Sequence, residues 1–299
     1  MRWSGVFPAV TTKFREDGHL DLPAFEAHVT VMLAAGVDGT VALGSLGENA
    51  TLSLDEKLEL IRAAAAVCAG RAPLVVTVAE QSTKGAAAFM EAAAKAGATG
   101  FMVLHGTLYP SDPRETAAHF RTLAKATDRP LMLYNNPLAY KVDLTPELLE
   151  DLASEPAFVA LKESSGDVRR VTDLRNRLGE RYAIFTGVDD LALESLLLGA
   201  VGWVAGLVCA FPQETVALFR LAKAGRVDEA VALYRWFMPL LHLDVGPKFV
   251  QNIKLAEHLA GVGSERVRAP RLVLAGEERD RVATVVRQAL DTRLALPVC

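Results

Sequence analysis

Short, continuously apolar runs alternate with amphipathic stretches along most of this chain. The apolar runs fall at 5–12, 39–44, 73–79, 99–105, 130–136, 158–164, 182–188 and 202–207. Unbroken apolar character over so few residues predicts strands buried on both faces, as in a parallel sheet. The stretches between them carry helix starts. Ser53-Leu54-Asp55-Glu56 has the spacing of a capping box, in which the serine and the glutamate satisfy each other's backbone donors. Thr145-Pro146-Glu147 puts an N-cap threonine before a proline in the first turn. The glycines in Ala35-Gly36-Val37-Asp38-Gly39 and Ala96-Gly97-Ala98-Thr99-Gly100 fit helix C-caps that lead into the next strand.

Eight strand-plus-helix units end near residue 224, which predicts a (β/α)₈ TIM barrel, a fold of roughly 250 residues. The structural alternative is a doubly wound open sheet, but no G-x-G-x-x-G follows the first strand, so nucleotide binding has no support. Three further helical patterns follow at about 227–240, 246–260 and 276–291. The apolar stripe Ala230, Leu233, Trp236, Phe237 and Leu240 reads as the packing face of a C-terminal three-helix appendage. The expected division is a catalytic barrel over 1–224 and a helical extension over 225–299, packed on it without a low-complexity linker.

Composition narrows the function more than the fold. The chain has 299 residues, of which 51% are hydrophobic and 23% charged, with a net charge of −4. Lys and Arg are scattered, so nucleic acid and anionic membranes are not expected partners. No apolar run approaches the ~20 residues of a membrane span, and the first residues lack a signal-peptide pattern, so the cytoplasm is the expected location. Cys68, Cys209 and Cys299 have no metal or redox spacing. The first two sit in apolar runs and read as buried free thiols. His19, His28, His105, His119, His242 and His258 form no H-x-x-x-H or H-E-x-x-H pattern, so neither a metal nor a cofactor is expected.

The chemistry gathers at the C-terminal ends of three strands, where barrels of this kind place their sites. Lys162 ends the sixth strand, in Phe158-Val159-Ala160-Leu161-Lys162-Glu163. Burial there lowers a lysine pKa, and a neutral amine can form a Schiff base with a carbonyl. Taken alone, such a lysine can equally snorkel or pair with a carboxylate. Tyr134 ends the fifth strand, beside Lys162, and a phenol can move protons for a carbinolamine. It can also simply end a strand with its hydroxyl in water. The loop Gly44-Ser45-Leu46-Gly47-Glu48-Asn49 follows the second strand. Its glycines allow a sharp turn whose N–H groups can bind a carboxylate, and Ser45 can join the proton relay. An ordinary glycine turn is the plainer reading. His105, at the end of the fourth strand, is a candidate for the pocket wall. Glu48 and Glu163 read as structural partners, with Glu163 also placed to tune Lys162.

Together these residues resemble the dihydrodipicolinate synthase / N-acetylneuraminate lyase superfamily of Schiff-base barrels. GVFPAVTT, GSLGEN, YNNP, LKESSGD, the TGVDD loop at 186–190, GWVAG and the trailing helices carry the likeness. The resemblance implies Lys162 as the Schiff-base lysine, Tyr134 as proton relay, and the Ser45–Leu46 loop as carboxylate clamp. It also implies that Gly187 and Val204 line the pocket, that the substrate is a small keto or cyclic imino acid, and that the chain forms a dimer or tetramer.

Departures from the family pattern point away from lysine biosynthesis. Ala139 stands where dihydrodipicolinate synthases carry an arginine for a second carboxylate, and Ser45-Leu46 stands where they carry two threonines. Gly106-Thr107 replaces their tyrosine pair, leaving Tyr109 nearby but off register, so the usual relay between subunits is expected to be absent. The neuraminate lyases keep a threonine where Leu46 stands. WSGVFPAVTT, GSLGEN, ETAAHF, MLYNNP, SSGDVRR and WFMPLLHLD are similar to the Δ1-pyrroline-4-hydroxy-2-carboxylate deaminases of hydroxyproline breakdown. Such enzymes open a cyclic imino acid, lose ammonia and water, and leave 2-oxoglutarate semialdehyde. The 2-keto-3-deoxy sugar acid dehydratases and aldolases are the alternatives within this chemistry. A non-catalytic keto-acid-binding barrel and a metal-dependent lyase are the alternatives outside it.

Overall fold

The computed structural model describes residues 3–106 and 109–296. Eight strands form, one in each expected window: β1 (Gly5–Pro8), β2 (Thr40–Ala42), β3 (Leu74–Val78), β4 (Gly100–Val103), β5 (Leu131–Asn135), β6 (Phe158–Glu163), β7 (Ala183–Thr186) and β8 (Gly202–Ala205). They pair in parallel in the order β1-β8-β7-β6-β5-β4-β3-β2. A parallel bridge between Ala9 and Val41, with the Val10 N–H donating to the Val41 carbonyl at 2.9 Å, brings β1 and β2 together. Helices alternate with the strands, so the fold is the expected (β/α)₈ barrel and the open sheet is excluded.

Strand alternation divides each strand between two cores. Outward residues such as Val76, Phe101, Leu133 and Leu161 pack under the helices, whereas Phe7, Val41, Val75, Met102, Met132, Ala160, Phe185 and Val204 fill the barrel. The lower barrel is plugged by aromatic rings seated over glycines. A Cβ on Gly39 would fall 2.5 Å from the Phe7 ring, one on Gly202 2.2 Å from Phe185, and one on Gly100 2.5 Å from Trp3. These rings fill the lower barrel, and the cavity that holds Lys162 and Tyr134 lies at the strands' C-terminal ends.

The local signals hold. Ser53 and Glu56 form the reciprocal capping box, and Thr145 caps the helix Pro146–Asp151. Gly36 and Gly97 adopt positive φ, +91° and +115°. The trailing helices run over Val227–Leu241, Phe249–Leu259 and Gly276–Asp291. They join the barrel through buried charge as well as apolar contact. Lys254 pairs with Glu48 at 2.5 Å and Lys13 pairs with Glu257, both buried, while Arg268, between the last two helices, reaches the partly exposed Glu56 at 2.8 Å. No helix among the described residues is long and apolar enough to cross a membrane. Cys68 and Cys209 are buried free thiols; Cys299 and Thr107 lie outside the described residues.

Candidate active site

Lys162 and Tyr134 are register partners on β6 and β5. The same pleat that points them into the barrel mouth points their successors outward. Asn135 and Glu163 are the next register pair, and the Asn135 amide donates to Glu163 at 3.0 Å. Glu163 also accepts from the Ser165 N–H at 2.6 Å. It therefore braces the outer side of the strand ends, and its carboxylate does not face Lys162. The expectation that Glu163 tunes the lysine is corrected by strand alternation.

Lys162 is 7% exposed and makes no ion pair with any described carboxylate. Its Nζ lies 4.4 Å from the centre of the Tyr134 ring, a cation–π position. Burial lowers its pKa from the ordinary lysine range, while the charges of Asp244, Tyr140 and Asp189 pull the other way. The lysine's path also requires Gly187, because a Cβ there would sit 2.4 Å from Lys162 Cε and 2.2 Å from Ser164 Oγ.

The segment Tyr134-Asn135-Asn136-Pro137 builds two phenols into the mouth. Asn136 caps a one-turn helix, Pro137–Tyr140, by accepting from the Ala139 N–H at 3.0 Å. Its amide donates to the Tyr134 hydroxyl at 3.1 Å. At the far end of that turn the Tyr140 ring meets Tyr134 edge-on, with centroids 5.8 Å apart. The Tyr140 hydroxyl lies 2.6 Å from Ser45 Oγ. Burial pushes the Tyr134 phenol upward, against the pull of the Asn136 side chain. Burial also raises the Tyr140 phenol, with the neighbouring Tyr134 adding to it. The bond between Tyr140 and Ser45 was not legible in the sequence, because it needs the loop after β2 to lie across the mouth.

That loop turns for a different reason than its glycines suggest. The left-handed residues are Leu43 (φ 60°) and Glu48 (φ 56°), not Gly44 or Gly47. Gly47 is needed for close approach instead, since a Cβ there would lie 3.0 Å from the Val10 carbonyl. The strained Leu43 is held by Asn49, whose amide donates to the Leu43 carbonyl at 2.7 Å. A non-glycine residue in this region costs on the order of 1 kcal/mol. Glu48 is held by Lys254, as a structural partner should be. The N–H groups of Ser45 and Leu46 donate to no backbone carbonyl among the described residues, leaving them free for an anion.

All the expected site residues meet in one cavity of about 560 Å³. Gly44, Ser45, Leu46, Tyr134, Lys162, Gly187 and Val204 line it, with Ala139 and Tyr140. Lys162 is the one basic side chain among the described residues of its wall. His105 does not line it. Its ring packs edge-on against Tyr140 at 6.1 Å, and its Nδ1 donates to the Gly106 carbonyl at 2.7 Å. Tyr109 stays outside as well, 54% exposed and bonded to Glu115 at 2.8 Å.

One acidic wall residue was given no role by the sequence reading. Asp244 comes from the short turn His242–Asp244 after the helix Val227–Leu241. A Cβ on Gly206 would fall 2.2 Å from its Oδ1. The TGVDD loop shapes this side. Asp189 accepts from Trp203 Nε1 at 2.9 Å and from the N–H groups of Gly206 at 3.1 Å and Leu207 at 2.8 Å. Asp190 lies 2.8 Å from His242 Nδ1.

Comparison with known proteins agrees with this geometry. The model of the dihydrodipicolinate synthetase family matches residues 2–289. The 4-hydroxy-tetrahydrodipicolinate synthase of Sorangium cellulosum is 37% identical over 294 residues, covering 95% of each chain. That of Haloarcula marismortui is 30% identical, covering 97% of this chain and 96% of its own. The crystal structure of the Aquifex aeolicus dihydrodipicolinate synthase superposes with a TM-score of 0.92 at 26% identity, covering 99% of both chains. An Escherichia coli prophage protein of the dihydrodipicolinic acid synthase family, solved with pyruvate, gives 0.90 at 27% identity over 96% of this chain and 99% of its own. The chain belongs to the dihydrodipicolinate synthetase family of Schiff-base lyases.

Proposed function

We propose that this lyase opens Δ1-pyrroline-4-hydroxy-2-carboxylate and delivers 2-oxoglutarate semialdehyde and ammonia. The observation that carries the reading is the cavity's stock of groups: one buried amine, a set of hydroxyls, two unused loop N–H groups and no second cation among its described wall residues. A substrate with a single carboxylate suits the Ser45–Leu46 loop. The aldehyde partner of a dipicolinate-type synthase brings a second carboxylate, and Ala139 offers it nothing.

In this mechanism neutral Lys162 adds to C2 of the ring. The C2–N bond breaks and the ring nitrogen leaves C2 as an amine still attached to C5. The resulting iminium makes the C3 protons acidic. Loss of a C3 proton and of the C4 hydroxyl, as water, follows. The double bond migrates to C5 as an imine, and water hydrolyses that imine to the aldehyde and ammonia. A second water releases the product from Lys162. Tyr134, Ser45 and Tyr140 move the protons. One water is lost and two are consumed, so one is used overall.

A six-carbon 2-keto-3-deoxy acid is the second reading, favoured by a cavity of about 560 Å³, which is roomy for a five-membered ring bearing one carboxylate. The Escherichia coli relative solved with pyruvate supports a small 2-keto acid as ligand in this second reading. The test incubates the protein separately with the hydroxy-pyrroline acid, with keto-deoxy sugar acids, and with pyruvate plus aspartate semialdehyde. Ammonia release from the first, together with a borohydride-reduced adduct on Lys162, is the expected result. Condensation in the third arm without ammonia release in the first overturns it.

A further inference from the structure

Protons must reach two places during this chemistry: the carbon beside the Schiff base and the hydroxyl that leaves. The Tyr134, Ser45 and Tyr140 hydroxyls all lie on one side of Lys162, toward β5 and the loop after β2. The other side, toward β7 and β8, holds Asp244.

Asp244 is built into place rather than left at a loop tip. His242 bonds to Asp190, the Asn252 amide donates to the Leu243 carbonyl at 3.0 Å, and Gly206 leaves room for the carboxyl. Its Oδ1 is sealed from water and has no hydrogen-bond partner among the described residues. Buried polar atoms are normally satisfied, so an orphan in a cavity wall asks for a group that arrives with the substrate. The residues that pair Asp190 and satisfy Asp189 leave Asp244 out.

We propose that Asp244 is the acid that delivers a proton to the departing hydroxyl, across the amine from the tyrosine hydroxyls. The inference rests on the lyase reading above. In the step, the C3–H bond breaks and its electron pair becomes the C3=C4 bond. The C3 proton passes through the hydroxyls near Tyr134 to the amine freed by ring opening. The C4–O bond breaks, its pair leaves with the oxygen, and the Asp244 proton completes a water molecule. Asp244 is left as a carboxylate. It takes a proton back from the water that attacks the C5 imine.

The electrostatics support this role. Burial holds the Asp244 carboxyl well above the usual range; neighbouring Asp189 pushes it the same way, Lys162 opposes, and Asp190 adds to the rise. The titratable groups around it are Lys162 from β6, Asp189 and Asp190 from the loop after β7, Cys209 from the turn after β8 and, across the amine, Tyr134 from β5. A carboxyl shifted toward its protonated form beside an amine shifted toward its neutral form is the pairing that this step needs.

Asp244→Asn keeps the shape and removes the proton. We expect kcat to fall by about 10²–10⁴, the range for a lost general acid, and the alkaline decline of kcat to disappear. Borohydride trapping of pyruvate on Lys162 should stay within about threefold of the parent, which also shows that the variant folds. Asp244→Ser, smaller still, should behave alike. Turnover within threefold of the parent overturns the inference. So does trapping that falls in step with turnover, because Asp244 would then act only through Lys162. A parent that dehydrates neither the ring acid nor a keto-deoxy acid overturns the lyase reading itself, and is told apart because it is seen before any substitution is made.

Discussion

Lys162 and Lys254 are both lysines buried in the same barrel protein, and they are kept in opposite ways. Lys254 is fully buried and answered. Its Nζ meets Glu48 at 2.5 Å and the Arg266 carbonyl at 2.7 Å, and lies 4.6 Å from the Phe14 ring centre. Lys162 has the ring, that of Tyr134, but lacks the partners; no carboxylate among the described residues pairs with it. Burial lowers both amines, but at Lys254 the adjoining Glu48 carboxylate opposes that directly. Burial alone therefore does not make a nucleophile. In the proposed mechanism the withheld counter-ion does, because a buried charge without a partner is expensive and burial shifts Lys162 toward the neutral amine.

The largest effect that can break this contrast is Lys162→Ala. Without the amine there is no Schiff base, and we expect turnover to drop to background with the circular dichroism spectrum unchanged. Near-parental rates would end the Schiff-base mechanism. The complementary substitution is Lys254→Met. Removing one partner of a buried ion pair leaves the other charge stranded, so urea unfolding should show a loss of about 3–5 kcal/mol. The same change at Lys162 strands nothing and should cost less than about 1 kcal/mol. Equal losses at the two positions would erase the distinction between them.

Much of this arrangement was legible before any coordinates. Each strand lies inside its expected window because a parallel barrel strand is apolar on both faces, which is a loud signal. Lys162, Tyr134 and Ser45 converge because strand ends converge in a closed barrel. What stayed hidden depends on side-chain direction or on distance along the chain. Glu163 was assigned toward Lys162 although adjacent strand residues face opposite ways. The turn at Gly44–Gly47 was credited to its glycines, while the strain sits on Leu43 and Glu48, where steric rules give no warning. Asp244 belongs to a polar-looking stretch, His242-Leu243-Asp244-Val245-Gly246, and only the packing of the trailing helices over the mouth brings it to the site. The quoted similarity at WFMPLLHLD contained it, without saying why.

A smaller effect probes the structural half of the comparison. His28 sits near the buried Lys13–Glu257 pair, and its Nε2 lies 2.7 Å from the Cys209 carbonyl. The carbonyl needs a donor, which puts the proton on Nε2 and leaves Nδ1 unpartnered. Burial lowers the pKa from 6.5 to about 4, with the Lys13 charge adding to it and Glu257 opposing. The unfolded chain therefore binds the proton first as pH falls. Stability is unaffected above about 6.5, declines between about 6.5 and 4, and levels off below. By pH 5 the loss amounts to about 2 kcal/mol. His28→Gln should keep the Nε2-type donor and remove that decline, as read from urea midpoints at pH 7 and pH 5. A decline of the same size in the variant would place the acid sensitivity elsewhere.

The smallest effect tests the reactive half most sharply. Tyr140 touches Ser45 at 2.6 Å and Tyr134 edge-on, so this chain carries within itself a second phenol beside the loop hydroxyl. If the hydroxyls act as one proton path, removing either member of the Ser45–Tyr140 pair breaks the same link. Tyr140→Phe and Ser45→Ala should each lower kcat about tenfold, near the worth of one hydrogen bond at the reacting group. The double variant should fall no further than the worse of the two, since contacts that act as a unit are not additive. Losses that multiply to about a hundredfold would mean two independent contacts. Tyr140 would then only shape the wall, and the proton path from Lys162 would end at Tyr134.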